Sequence, residues 1–373
     1  MSWGDFGGDA LEQLRGVLDE SRYGLTEGLP AYSTRKIYPI HEMRTWWERR
    51  QGGVEPLSMV AFPERLYRQF SQRQPAAWTL FRLFFLHHTL EPEACSQVPE
   101  AFLEVVPEGV RAIVQLTCVG GRYILSSIPG RSPGEFVYLG DDSAHLRRLA
   151  LEQFPRGRGR ALDLCCGCGV VGLTLPPGFA EVVGLDINTD AIALAYSNAR
   201  LNHSSARFEV SDLYQKAEGE WQLIIGNPPA LPPDLADPAM RFAVGPPELT
   251  RAAVEGLETR LAPEGVCIFL VFSAVRDGRD TLYEMLQRVL SQDFSLDYLI
   301  RQEYRLADPL RTKLRHVQLM IRRDGQGRRD LRWPRLVERL RRWALPGLRA
   351  APHPQLCQLS ATRDTPSTPR PRT

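Results

Sequence analysis

Between residues 161 and 273 the sequence alternates short apolar runs with amphipathic stretches. ALDLC (161–165), EVVGLD (181–186), ARFEV (206–210), LIIGN (223–227) and VCIFLVFS (266–273) have the length and composition of buried strands. TDAIALAYSNARL (189–201) and PELTRAAVEGLETRL (247–261) lie between them, with apolar residues at helical spacing. Alternation of this kind predicts an α/β fold: a Rossmann-like, seven-stranded, mostly parallel sheet with helices on both faces. FSLDYLIRQEY (294–304) and LRHVQLMIRR (314–323) supply two of those strands, as an antiparallel pair. LRWPRLVERLRRWAL (331–345) then places Trp333, Leu336, Val337, Leu340 and Trp343 on one face of a helix, with Pro334 near its start.

The first part of the chain reads differently. DALEQLRGVLDES (9–21) predicts a helix, followed by text rich in Gly and Pro. AAWTLFRLFFLHHTL (76–90) predicts a buried helix, and in EPEACSQVPEAFLEVV (91–106) Pro99 separates a second from a third. VRAIVQLTCVGGRYILSSIP (110–129) predicts two alternating strands joined by Gly120-Gly121. Helices followed by a hairpin suggest a small winged-helix-like domain. No Lys/Arg-rich recognition helix accompanies it, which favours a protein or substrate module over a DNA reader. The expected organisation is an N-terminal module over 1–135, an α/β domain over 136–325, and a basic helix with a disordered tail over 326–373, where Pro, Ser and Thr accumulate.

Composition narrows the class. With 373 residues, 43% of them hydrophobic, the chain can bury a sizeable core. No run approaches the ~20 apolar residues of a membrane span. The N-terminal text lacks a basic leader followed by an apolar core, so a secretion signal is not expected. Seven cysteines, scattered apart from Cys165, Cys166 and Cys168, do not form a disulfide framework. A reduced, cytoplasmic protein is expected. The net charge of +2 hides a division: residues 1–300 carry 28 Lys/Arg against 38 Asp/Glu, and residues 301–349 carry 15 against 5. That basic segment offers a surface for nucleic acid or an acidic partner. Only three of the 46 basic residues are lysines, so arginine richness also reflects a general preference of this sequence.

The chemistry concentrates at strand ends. Gly167-x-Gly169-x-x-Gly172 follows the first strand and opens a helix, where the backbone must turn sharply and let a ligand approach. Asp186 ends the next strand, 19 residues after Gly167, where a carboxylate can accept both hydroxyls of a ribose. A nicotinamide dehydrogenase would show much the same spacing. Two features separate the cases. Asp163 lies inside the first strand, where an acid calls for a cationic partner such as an ammonium group. Asn227-Pro228-Pro229 stands at the carboxyl end of the fourth strand, on the edge where substrates bind in such sheets. Cys165, Cys166 and Cys168 are too close together at a strand-to-loop corner to converge on one ion, so no metal is expected. His87-His88 have no second ligand pair.

Asp163-Leu-Cys-Cys-Gly-Cys-Gly169 resembles the first motif of class I S-adenosylmethionine-dependent methyltransferases. Asp186 matches their ribose-binding acid, and Asp212 in VSDLYQ matches the residue near the adenine amine. Asn227-Pro-Pro229 is similar to the fourth motif of the branch that methylates planar nitrogens: glutamine-N5, adenine-N6 and guanine-N2 enzymes. Phe136-Val-Tyr-Leu-Gly-Asp-Asp-Ser143 resembles the leader that closes over the cofactor in the small-methyltransferase-domain group. The resemblance covers about 136–275. It implies S-adenosylmethionine as cofactor, held by Tyr138, Asp142, Asp163, Cys165, Gly167, Gly169, Asp186, Ile187, Asp212, Leu213 and Asn227. It also implies that Asn227, Pro228 and Pro229 orient the acceptor nitrogen. The expected acceptor is a protein glutamine or a nucleobase.

One departure loosens that substrate. The family motif ends in Tyr or Phe, and this chain has Ala230. Tyr138, Phe242 or Trp221 would have to supply the stacking face, or the acceptor is a small-molecule amine. Val244-Gly-Pro-Pro-Glu-Leu249 also replaces the Gly-Gly-x-Asp-Gly turn of relatives. A reading of another class is an RNA-binding protein with a degenerate methyltransferase fold.

Overall fold

The computed structural model describes residues 3, 6–28, 67–128, 131–132, 134–137, 139–230, 245–305 and 313–332. The helix expected over 331–345 and the tail after it fall almost wholly outside those residues, as do Tyr138 and Phe242. The chain divides into two compact units: Met1–Asn227 with Thr259–Ile268, and Pro228–Glu258 with Phe269–Thr373. Among the described residues no helix is long and apolar enough to cross a membrane.

In the first unit, α1 (Gly8–Glu20) buries Leu11, Leu14 and Leu18 along one stripe. α2 (Pro75–Phe84) buries Ala77, Leu80, Phe81 and Phe84 and is shorter than the expected 76–90. Beyond it the chain turns, with His87 at φ 56°. Leu90 and Val110 then exchange N–H···O bonds of 2.9 and 2.8 Å, which a longer helix would forbid. The two helices expected within 91–106 are not formed. Short 3-10 turns occupy Pro92–Cys95 and Glu100–Phe102, and β1 (Leu103–Val106) pairs with β2 (Gly109–Ala112). β-branched Val105 and Val106 favour the strand, and Pro107-Glu108 sets the turn.

The Gly120-Gly121 hairpin forms as expected, from β3 (Val114–Val119) and β4 (Arg122–Ser127). Both turn N–H groups donate to the Glu27 carboxylate, at 2.6 and 3.0 Å. The strands do not alternate between core and solvent; nearly every residue is buried. α2 and the 3-10 turn Tyr23–Gly28 pack against β3, and the helix of residues 189–201 packs against β4.

The rest of the first unit is α3 (Asp141–Gln153), β5 (Arg160–Leu164), α4 (Val170–Leu173), β6 (Glu181–Asp186), α5 (Thr189–Leu201), β7 (Arg207–Val210), β8 (Trp221–Gly226) and the opening of β9 (Leu261–Arg276). Asn188 caps α5, its side chain accepting from the N–H groups of Asp190 and Ala191. The strand order is β9-β8-β5-β6-β7, and β5 is parallel to both β6 and β8. Chain order therefore reverses at β5, which creates the crevice where open α/β sheets bind ligands.

In the second unit the order is β13-β11-β12-β9. β11 (Phe294–Arg305) and β12 (Lys313–Arg323) form the expected antiparallel pair. β13 (Arg329–Arg332) adds a parallel edge, and β10 (Arg279–Asp280) pairs with the end of β9. These two short strands raise the sheet to nine where seven were expected; two and four residues are too few to show a period. The helix expected over 247–261 is interrupted at Gly256, giving α6 (Pro247–Glu255) and a further turn over Leu257–Arg260. α7 (Thr281–Val289) follows, capped by Asp280.

Much of the basic segment is neutralised within this sheet. Arg315 reaches Asp280 at 2.8 Å and Glu303 at 2.9 Å, Lys313 reaches Glu303 at 3.0 Å, and Arg322 reaches Asp297 at 2.7 Å. Arg332 pairs with Asp297 and Asp330, and Arg328 with Asp324. Asp280 is the buried hub, accepting also from Ser273 at 2.6 Å and Tyr298 at 2.8 Å. Burial alone would raise the Glu303 carboxyl, but Arg315 and Lys313 outweigh it and hold the group below its usual range. Replacing Arg315 with Met should leave the buried Asp280 carboxylate without its cation, and Glu303 with Lys313 alone, and cost about 3–5 kcal/mol, as loss of one partner of a buried pair does. Urea titration measures it; a loss below about 1 kcal/mol would mark the network as solvent-screened.

Candidate active site

β5 delivers Asp163 into the interior, where the residue is only 2% exposed. Gly172 N–H donates to Asp163 Oδ2 at 2.8 Å, tying the acid to the start of α4. Among the described residues this partner is a neutral backbone donor and not the expected cation. Among the described residues nothing hydrogen-bonds the second oxygen, which keeps acceptor capacity for a ligand. Burial, and after it the charge of Asp186, push the Asp163 carboxyl up to about 8 despite the Gly172 bond.

The glycine loop joins this acid to the next. Gly167 N–H donates to Asp186 Oδ2 at 2.8 Å, and Asn188 N–H to Oδ1 at 2.9 Å. Each carboxylate oxygen accepts one backbone bond and retains a lone pair, the pattern needed to receive two hydroxyls of a diol. Burial raises the Asp186 carboxyl, opposed by the N–H groups of Asn188, Gly167 and Ile187. Gly169 stands at φ 75°, and a Cβ there would meet the Phe208 ring at 2.7 Å. Phe208, wholly buried on β7, is the floor under the loop. Only glycine satisfies both conditions at 169.

Cys165 occupies the left-handed region at φ 58°, which costs a side-chain-bearing residue about 1 kcal/mol. It is half-buried, and its thiol is pushed well up by burial and then by Asp186, Asp163 and Asp212. Three acids separated in sequence therefore converge around one side chain. Asp212 itself is exposed, in the turn after β7. Leu213 beside it is at φ 44°. Ile187 is 57% exposed at the end of β6, and Val210, across from Asp186, is 37% exposed. These two solvent-facing apolar side chains lie next to the Asp186 carboxylate. Asp142 is buried in the first turn of α3, a helix that packs on α4 and β8.

β8 brings the acceptor-side residue alongside. Gly226 is paired with Leu164, and the two backbones approach so closely that a Cβ at 226 would strike the Leu164 carbonyl. Asn227 follows at once, half-buried, next to the corner where β5 turns into Cys165. Among the described residues its side-chain amide has no hydrogen-bond partner. Pro228 is buried and Pro229 half-buried; Gly245 lies against the Pro229 carbonyl, at a place no Cβ could enter.

Trp221 is excluded as the stacking face. It is 1% exposed at the opposite end of β8 from Asn227, with the Arg160 guanidinium 3.9 Å from its ring centre. Ala230 is half-buried. Cys166 and Cys168 are buried thiols raised by their surroundings, and among the described residues no group of three or more His, Cys, Asp or Glu converges on a point that could hold a metal. Sequence reasoning missed Asn198 and Asn202 of α5. Both are buried, and Asn198 Nδ2 donates to the Cys168 carbonyl of the loop at 2.9 Å. The available signal was a pair of amides one helical turn apart on the apolar face of SNARLN.

The Asp163 shift has a stability consequence. Its folded pKa lies above the unfolded value near ~3.9, so the unfolded chain sheds its proton first. Stability from this group is complete below about 4 and is lost as pH rises toward about 8. Asp163→Asn keeps an acceptor for Gly172 N–H and removes the titration. Urea midpoints should therefore favour the variant by a margin that widens from pH 5 to 8; a constant margin would refute the raised pKa.

Residues 133–290 match the family model "Methyltransferase small domain". Ribosomal RNA small subunit methyltransferase C of Vibrio parahaemolyticus is 36% identical over 108 residues, covering 28% of this chain and 30% of that protein. Release factor glutamine methyltransferase of Agrobacterium fabrum is 34% identical over 115 residues, covering 29% and 38%. Ribosomal protein uL3 glutamine methyltransferase of Xanthomonas campestris pv. campestris is 38% identical over 149 residues, covering 38% and 44%. The chain thus spans less than half the length of these relatives. Among solved structures, a ribosomal protein methylase of Lactobacillus delbrueckii is 20% identical at a TM-score of 0.35, covering 52% of this chain and 83% of that one. The family match lies over the glycine loop, Asp163, Asp186, Asp212 and the asparagine corner, so residues 133–290 are similar to the methyltransferase small-domain family.

Proposed function

We propose that this chain transfers a methyl group from S-adenosylmethionine to a planar nitrogen of a protein glutamine or a nucleobase. The observation that carries this reading is the Asp186 carboxylate held by the Gly167 and Asn188 N–H groups at the end of β6, with the unpartnered amide of Asn227 at the end of β8 on the other side of β5. Similarity to glutamine and ribosomal RNA methyltransferases supports the acceptor class. In this reading residues 136–325 are catalytic and the module over 1–135 faces the substrate. A cytoplasmic site of action fits the six described cysteines, all of them thiols.

When bound, S-adenosylmethionine supplies a methyl group on a positively charged sulfur, open to in-line attack. Asp186 accepts the ribose hydroxyls with the lone pairs left by Gly167 and Asn188. Asp163, by its second oxygen, holds the ammonium of the methionine moiety. Ile187 and Leu213 flank the adenine ring, Asp212 accepts from its amine, and Asp142 and Tyr138 belong to the leader that closes over the cofactor. Gly167 and Gly169 let the loop backbone approach. The Asn227 side-chain oxygen, with the Pro228 carbonyl, accepts hydrogen bonds from the acceptor NH2. That fixes the nitrogen in line and lets its delocalised pair localise as the bond forms, so the rate comes from position and orientation. Pro228 and Pro229 fix φ and stiffen the corner.

Ala230 favours a second reading in which the acceptor is a small-molecule amine, since no aromatic follows the motif. The ion pairs of residues 313–332 tell against an RNA-binding role as the main one, because the basic charge described there is largely answered internally.

Incubation with methyl-labelled cofactor and fractionated cell extract tests the reading: label should enter protein or RNA, and label confined to small molecules would select the second acceptor. No calorimetric binding of S-adenosylmethionine or its demethylated product would overturn both. Asp186→Ala should weaken cofactor binding by about 1–3 kcal/mol through loss of charged hydrogen bonds. Asn227→Ala should instead depress kcat far more than it weakens cofactor binding, because its bonds to the acceptor matter most in the transition state. Equal activity of that variant would reduce the corner to scaffolding.

A further inference from the structure

We infer that Asn198 is a positioning residue that sets the glycine loop from the hairpin behind it. The inference rests on the cofactor-binding reading above and adds a residue outside the motifs.

α5 presents Asn198 and Asn202, one turn apart, to the edge of β4. Asn198 Oδ1 accepts from Leu125 N–H at 2.8 Å, and its Nδ2 donates to the Leu125 carbonyl at 3.0 Å. Asn202 repeats the pattern on Tyr123, at 2.9 and 2.7 Å. Two side-chain amides thus replace the neighbouring strand that β4 lacks. Asn202 uses its remaining donor on the Asn198 carbonyl, within its own helix. Asn198 uses its remaining donor on the Cys168 carbonyl, between Gly167 and Gly169.

That difference assigns the roles. Both amides are wholly or almost wholly buried, and both hold the hairpin. Only Asn198 also reaches the loop. The peptide after Cys168 leads directly into Gly169, whose N–H closes the turn on the Cys166 carbonyl at 2.9 Å. Gly167 N–H, on the other side, holds Asp186. Fixing the Cys168 carbonyl therefore orients the two peptides that meet the cofactor and, through Gly167, the Asp186 carboxylate. Without the Asn198 donor, the carbonyl would be a buried acceptor with nothing to satisfy it, and the loop would rotate to find water.

The test compares matched variants at the two positions. Asn198→Asp keeps the acceptor for Leu125 N–H and removes the donors; Asn202→Asp does the same on Tyr123 without touching the loop. Asn198→Ser and Asn202→Ser provide a second pair. Melting temperature reports the clamp, and calorimetric Kd for S-adenosylmethionine together with amide hydrogen exchange of residues 166–173 reports the loop. Both Asn198 variants should raise Kd about tenfold and speed exchange in the loop. The Asn202 variants should lower the melting temperature comparably, with Kd within about twofold and loop exchange unchanged.

Equal effects at the two positions, or none on the loop, would overturn the inference. So would Asn198 variants that unfold while the Asn202 variants fold, since the amide would then be scaffold. If the wild-type chain binds no cofactor, the proposed function falls, and hydrogen exchange still decides whether Asn198 sets the loop.

Discussion

A carboxylate buried inside the central strand of a sheet has to be answered by the chain around it. Asp163 is such a group, and its answer is the N–H of Gly172. For that bond to form, the eight residues between them must reverse and bring the opening of α4 back over the end of β5. Glycines at the turn, Phe208 beneath it and the close approach of β6 all follow from that demand. Asp186 is drawn in by Gly167 as part of the same closure. The binding cradle is thus a consequence of one internal acid, and only secondarily of the strands that carry it.

Strand order does the remaining work. β5 has β6 on one side and β8 on the other, so the loops leaving the two flanking strands diverge and the corner between them stays open. On the β6 side lie Asp186, Ile187 and the turn with Asp212. On the β8 side Asn227 emerges with its amide uncommitted. A single reversal of chain order thus separates the proposed donor-side residues from the proposed acceptor-side asparagine.

Much of this was legible in the sequence because the signals are local. The five apolar runs, the spacing of Gly167, Gly169 and Asp186, the Gly120-Gly121 hairpin and the antiparallel pair at 294–323 each follow from a period or a turn residue. The readings that failed depend on pairing or packing that no single stretch shows, or on strands too short to carry a period. Residues 103–106 carry a helix-compatible text, but pairing with Gly109–Ala112 makes them a strand. β10 and β13 are too short to have a pattern. The pairing of Arg315 and Arg322 was likewise hidden, because Asp280 and Asp297 lie earlier in the sequence than the basic segment. Asn198 was invisible for the same reason: its three partners belong to β4 and the loop, 73 and 30 residues away. Trp221 was offered as a stacking face on residue type alone, and its place at the far end of β8 removes it.

The cysteines of the loop carry a consequence of their own. A site that holds an activated methyl group is hazardous to any strong nucleophile within reach, and a thiolate is a stronger one than an amide nitrogen. Cys165, Cys166 and Cys168 belong to the loop of the proposed site, and burial, then the neighbouring acids, push their thiols up, away from the thiolate form. In the proposed site, the same carboxylates would guard these thiols against alkylation by the donor.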